Sequence, residues 1–217
     1  MKTQTIKYIY EKQKPFLFEL FSSSGTLTDT DIEYILSQFE SASYQKGTII
    51  LGIEQVNDKL IYIQTGILRE YSYKDQDQDQ DQDRDRDKTT THGIMSENEF
   101  QYVADSFLDQ IPSTVAIDVL ENAKVWTITK QKLDKLYEEF PPLNFISKKL
   151  LERNIIKYEA FIVALRQKRE KRIEWFDKYH KVLVGRVPFK YMATYLNIPP
   201  EELSRLRTKI AKQEQKK

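Results

Sequence analysis

Near the C-terminus, the stretch RVPFKYMATYLNIPPEELSRLRTKI (residues 186–210) gathers side chains able to make directional hydrogen bonds to a polar partner. The forked guanidinium of Arg205 matches O6 and N7 of a guanine, and the carboxylate of Glu201 accepts from a cytosine amine. Ser204 stands with this base-reading set, and its hydroxyl is better suited to a phosphate oxygen than to a base. Arg186, Lys190 and Arg207 have the chemistry of backbone phosphate contacts. Together they form a candidate surface for double-stranded DNA.

Two short helices joined by a tight turn would position these groups. Pro188 suits a first helical turn, where its missing N–H would be unpaired anyway. Met192, Ala193 and Leu196 then point inward, and Ala193 is small enough for two helices to cross above it. Asn197, four residues on, is the best substitute for glycine where a positive φ is required. Leu203 anchors a second helix opened by Pro199 and Pro200, with Glu201 and Glu202 in its first turn, where the macrodipole favours acids. With those packing duties met, Glu201, Ser204, Arg205 and Arg207 are left facing outward at the end of the helix that enters a major groove. The bland alternative is a helical hairpin with a solvated charged face. Small residue, turn residue and anchor in one register favour the helix–turn–helix.

Charge supports this. The net formal charge of the 217 residues is +1, but residues 141–217 carry 19 Lys and Arg against 8 Asp and Glu, and residues 1–140 carry 15 against 25. A basic C-terminal part on an acidic N-terminal part suits a polyanion-binding module carried by something that does not touch nucleic acid. Cysteine is absent, which excludes disulfides, thiolate metal sites and cysteine nucleophiles. No apolar run approaches the roughly 18 to 20 residues that span a bilayer, so no membrane is expected. The N-terminus lacks the apolar core of a secretory signal. A cytoplasmic location is the simplest expectation.

Thr28 or Asp29 reads as the N-cap of a helix with Ile32, Ile35, Leu36 and Phe39 on one face. From Tyr44 the texture turns to short Ile-, Tyr- and Thr-rich runs punctuated by glycine, as in antiparallel strands of a roll or barrel. The segment KDQDQDQDQDRDRDK, residues 74–88, alternates without an apolar member and reads as a disordered insertion, taken as 74–90. It lacks the Gly and Glu of a calcium loop: counted from Asp75, those positions hold Gln80 and Arg86. A long helix follows Pro141 and Pro142. Its Leu151, Ile155, Tyr158, Ile162 and Leu165 recur at coiled-coil spacing, and Ile146, Leu150 and Phe161 lie on a neighbouring face. One face would pack on the chain's own roll and the other on a second copy, giving a parallel homodimer. A single broad stripe within one chain is the alternative. The division expected is a roll over 1–142, a dimerisation helix over 143–170 and a DNA-binding part over 171–217.

Residues QKGTIIL, KLIYIQTGILREY, SFLDQIPSTVAIDVLENAKVWTI and above all RVPFKYMATYLNIPPEELSRLR resemble the Crp/Fnr family of bacterial transcription regulators, over roughly residues 15–212. The resemblance implies an α+β chain: an antiparallel, jelly-roll-like β-roll of the cyclic-nucleotide-binding type, a long dimer helix and a winged-helix-like DNA reader. It implies base-reading positions at Glu201 and Arg205, and RNA polymerase as a further partner. It also implies an effector pocket around Tyr102, Ser113 and Thr114. Where family members that bind cyclic AMP carry Gly-Glu and Arg-Ser pairs, this chain has Tyr102-Val103 and Pro112-Ser113. A buried phosphate without its arginine costs several kcal/mol, at least a hundredfold in affinity. Cyclic AMP is therefore not expected; the effector would be another small molecule, or none. After Ile210 the stretch AKQEQKK is too short for a β-hairpin wing, so backbone contacts would fall to it or to RQKREKR at 166–172.

A metal-dependent enzyme on the same roll would need two or three converging histidines, and the chain has only His92 and His180. No catalytic or metal constellation stands out, and a non-enzyme is expected. A non-catalytic interaction module that has lost ligand and DNA binding is the other class.

Overall fold

The computed structural model describes residues 15–23, 25–73 and 89–214. The acidic repeat at 74–88 lies outside them, but Thr89 and Thr90 belong to a strand, so an insertion reaching residue 90 is two residues too long.

Helix α1 (Pro15–Ser22) and helix α2 (Asp29–Ser37) precede the sheet. The N-cap of α2 is Thr28, whose side chain accepts from Asp31 N–H while Asp31 accepts from Thr28 N–H, a reciprocal capping box. The expected face, Ile32, Ile35, Leu36 and Phe39, is buried. Strands β1 (Glu40–Tyr44), β2 (Ile49–Leu51), β3 (Lys59–Tyr73), β4 (Thr89–Met95), β5 (Phe100–Gln101) and β6 (Ala116–Thr129) form one antiparallel sheet, with helix α3 (Ala104–Asp109) between β5 and β6. Its order is β1-β6-β3-β4, with β2 also on β6 and β5 also on β3.

The pairing of β3 with β6 shifts register repeatedly between Ile63 and Leu68, and there the sheet turns a corner. Gly66 sits in that corner with φ +98°, and a Cβ on it would lie 2.6 Å from the Asn122 carbonyl oxygen. Only glycine permits this approach. On either side of the corner, Ile63, Val125, Leu68 and Val119 fill the roll interior, while Ile67 and Leu120 face outward into the C-terminal core.

Helix α4 (Lys130–Glu139) ends before the two prolines, and helix α5 (Pro142–Leu165) begins at Pro142. Its Leu143 and Ile146 join the core formed with α1 and α2, and its far end, at Phe161 and Ala164, joins the C-terminal core. The long helix does not run on to residue 170. It stops at Leu165, and helix α6 (Arg169–Tyr179) follows, then a 3-10 turn (Lys181–Leu183), helix α7 (Phe189–Tyr195) and helix α8 (Pro200–Glu214). No glycine or proline marks the break. Folding back lets Trp175 stack on Phe161, with ring centroids 4.4 Å apart, and a straight helix could not make that contact. The fold is thus α+β, a β-roll with a helical C-terminal domain. No strand follows β6 among the described residues, so the helical domain has no β-wing there.

Candidate nucleic-acid interface

Local chemistry explains the angle between α7 and α8. Asn197 takes φ +51°, its N–H donates to the Thr194 carbonyl at 3.2 Å, and the Ile198 N–H donates to the Ala193 carbonyl at 3.0 Å. This is the full Schellman ending of α7, built on asparagine instead of glycine. Pro188 sits at the N-cap of α7, one residue before the helix. Ala193 and Leu203 are buried where the two helices cross, with Leu196 and Ile198 beside them. Arg172 of α6 donates to the carbonyls of Leu196 (3.2 Å) and Asn197 (2.7 Å), tying the turn to the helix behind it.

That packing leaves Glu201, Ser204 and Arg205 exposed on the first half of α8. Lys190 is exposed on α7, its Nζ 5.0 Å from the Tyr191 ring centre.

Two residues expected to contact the DNA backbone are engaged within the chain in this structure. Arg207 turns inward: its Nη2 donates to Asp177 Oδ1 at 2.8 Å and lies 3.4 Å from Met192 Sδ. One helical turn separates it from Leu203, so it shares the packed face and not the outward one. Arg186 is held by two carboxylates of the roll. Its Nη2 reaches Glu97 Oε1 at 2.6 Å and Glu121 Oε1 at 3.0 Å, its Nη1 reaches Glu97 Oε2 at 3.0 Å, and its Nε reaches Glu121 Oε2 at 3.1 Å. The hydrogen bonds from Arg186 hold the Glu97 carboxyl below its usual range. Three of the basic residues in 166–172 are likewise engaged within the chain: Arg169 pairs with Glu202, Lys171 with Glu174, and Arg172 caps the turn.

The three residues expected to line an effector pocket take different places in the roll. The Ser113 hydroxyl, buried, donates to the Val115 carbonyl at 2.6 Å and accepts from the Val115 N–H, closing a local turn. Thr114 is exposed, and the Tyr102 ring packs on Phe107 with centroids 5.3 Å apart. On the roll-interior face, Glu70 follows Leu68 at strand spacing, accepts from Gln101 at 3.1 Å and is raised in pKa by burial. An anion there would meet a carboxyl group.

On α5, the apolar residues Leu151, Ile155, Tyr158 and Ile162 are each about half exposed, with Ile156 and Val163 beside them. Leu165 departs from the expected stripe, since it is half-buried against the C-terminal core.

Sequence reasoning missed three residues at the junction of the two domains. Arg69 is fully buried, pairs with Asp118 at 2.9 and 2.7 Å, donates to Thr89 at 3.1 Å and lies between the Tyr71 and Tyr191 rings. Its signal was present in GILREYSY, where a charge alternates with Ile67 and Tyr71 on one strand face and so demands a partner. Glu97 and Glu121 had no such signal.

Among the described residues, no group of side chains could hold a metal ion and no helix is long and apolar enough to cross a membrane. No protein-family model matches the sequence, and no curated protein matches it. Solved structures match the fold. FixK2 of Bradyrhizobium japonicum superposes with a TM-score of 0.63 at 14% identity, covering 81% of this chain and 86% of that one. The c-di-GMP-responsive global regulator CLP of Xanthomonas campestris gives 0.62 at 15% identity, covering 86% and 93%. A Eubacterium rectale protein described under the Crp/Fnr family of transcriptional regulators gives 0.61 at 14%, covering 87% and 86%. The architecture is that of the Crp/Fnr regulators.

Proposed function

We propose that this chain is a cytoplasmic, homodimeric transcription regulator that reads a palindromic site in double-stranded DNA, with Glu201, Ser204 and Arg205 in the major groove of each half-site. One observation carries this reading. Three polar side chains stand exposed on the first half of α8, while the turn behind them is fully hydrogen-bonded and the crossing is buried. A helix held that firmly with its polar N-terminal half outward is suited to groove reading. Lys190 supplies a phosphate contact.

The exposed Leu151, Ile155, Tyr158 and Ile162 of α5 bury against the same face of a second copy. The dimer would set the two α8 helices about one turn of DNA, roughly 34 Å, apart. The roll senses a small molecule other than cyclic AMP, or a protein, and RNA polymerase is the partner through which such a regulator would act.

The test is selection of bound sequences from random duplexes, with and without a panel of cyclic nucleotides. The expected result is an enriched palindrome that cyclic AMP leaves unchanged. The engagement of Arg186 and Arg207 favours a second reading, an interaction module without DNA binding. Absence of salt-dependent binding to any duplex would establish it, because phosphate contacts always release counterions.

A further inference from the structure

The turn at residues 96–99 grips three parts of the molecule with consecutive side chains. Glu97 accepts from Arg186 of the C-terminal domain at 2.6 and 3.0 Å, and from the Gly66 N–H at the sheet corner at 3.1 Å. Asn98, at φ +66°, accepts from the Tyr62 hydroxyl at 2.7 Å. Glu99 accepts from Lys157 of α5 at 3.1 Å and from the Ser96 N–H at 2.8 Å. We propose that Glu97 and Glu121 are a latch: they hold Arg186, and with it the helix–turn–helix, against the roll in a pose that does not bind DNA. The turn that carries both Glu97 and Glu99 links that latch to the long helix. This rests on the DNA-binding reading above.

Competition is the first argument. The fork of Arg186 is filled by two carboxylates, so it cannot also bond a phosphate, and a duplex approaching this edge would meet Glu97 and Glu121. DNA and the latch therefore exclude each other at Arg186.

The makeup of the docked surface is the second. Beneath α7 lie the Arg69–Asp118 pair, the Tyr191 ring 3.8 Å from the Arg69 guanidinium, and the Thr194 and Thr91 hydroxyls 2.9 Å apart. Ile67, Ile94 and Leu120 supply the roll's apolar share of the joint core. On opening, Arg69 and Asp118 stay paired within the roll and the hydroxyls meet water, so the polar part of this surface tolerates exposure. Arg186, Glu97 and Glu121 are themselves partly exposed, within reach of screening by salt. The joint thus combines a buried apolar centre with a rim of partly exposed ion pairs, and the rim is the part that salt or substitution can release.

The chain has no cysteine, so Ser43→Cys on β1 and Thr208→Cys on α8 give two unique positions for spin labels. The distance distribution between them in the full chain should be narrow at low salt. It should broaden in Glu97→Gln/Glu121→Gln, and in the otherwise unaltered labelled chain at ~1 M salt, where the screening length falls to about 3 Å. Affinity for a pool of random-sequence duplexes should rise about tenfold in the double variant if the latched pose holds nine-tenths of the unaltered protein. Arg186→Gln should broaden the distances equally without the same gain, because it removes a phosphate contact too. Distances unchanged in the double variant and at high salt overturn the latch, as does broadening with no rise in duplex affinity while the unaltered chain binds duplex. If the distances broaden but neither protein binds duplex at low salt, the interdomain contact stands and the DNA-binding reading fails.

Discussion

The helix–turn–helix and the cassette segment of the roll, residues 102–114, treat their polar groups in opposite ways. On α8, Glu201, Ser204 and Arg205 are exposed above a fully bonded turn. In the cassette, Ser113 closes a bond on Val115 and Tyr102 packs on Phe107, and outside it the carboxyl on the roll's inner face, Glu70, is bonded by Gln101. A surface built for a partner keeps donors available on a rigid support. The cassette keeps its shape by satisfying its polar groups internally. The difference teaches that a shared fold does not by itself decide which polar groups stay available: on α8 they face outward, and between residues 102 and 114 they are largely taken up within the roll.

The largest effect is expected where a charge has no alternative partner. Asp118→Ala strands the fully buried Arg69 and should cost about 3–5 kcal/mol in urea unfolding. A loss below 1 kcal/mol would mean that the roll surface under α7 is wetter than the buried pair implies. Leu203→Ala should cost about 2–5 kcal/mol and abolish duplex binding, because it empties the crossing that holds α8. Arg205→Ala is the sharper test of the same region. It should leave thermal stability unchanged and lose about 1–3 kcal/mol of discrimination at one base pair per half-site. Equal selectivity after the change would remove Arg205 from the base-reading set.

His180 tests the packing behind α7 and α8. Burial, with Lys157 adding to it, lowers its pKa to about 3, so it is neutral when folded and takes a proton when unfolded below about pH 6.5. The unfolded state then binds more protons, and stability falls as pH drops from about 6.5 towards 3, by about 1.4 kcal/mol per unit from this group. His180→Phe should flatten that part of the slope in pH-dependent unfolding. The smallest effect belongs to the cassette: Ser113→Ala should cost about 1 kcal/mol and leave any response to cyclic nucleotides as it was, since that hydroxyl bonds only to Val115 among the bonds described.

The helix–turn–helix was legible in sequence because each of its requirements is local. A small residue, a residue tolerant of positive φ and an apolar anchor stand within eleven positions, and the backbone conformations they favour are the ones found. The roll was legible for a similar reason, since strand texture and turn glycines recur at short range. The end of α5 was not. Nothing in the residues after Leu165 stops a helix, and the break follows from the contacts of Phe161 with Trp175 and Tyr195. Nor could the sequence tell which arginines are available. Arg205 and Arg207 differ by two positions on one helix, yet one is exposed and the other bonds Asp177, which lies 30 residues earlier.

From its residues alone, then, this chain determined what each segment could become: helix, strand, tight turn, and a stock of basic side chains in its last third. Tertiary packing decided which of those side chains remain available. Helical and turn preferences act over a few residues, whereas an ion pair such as Arg186 with Glu97 spans 89 positions and exists only once the helical domain rests on the sheet.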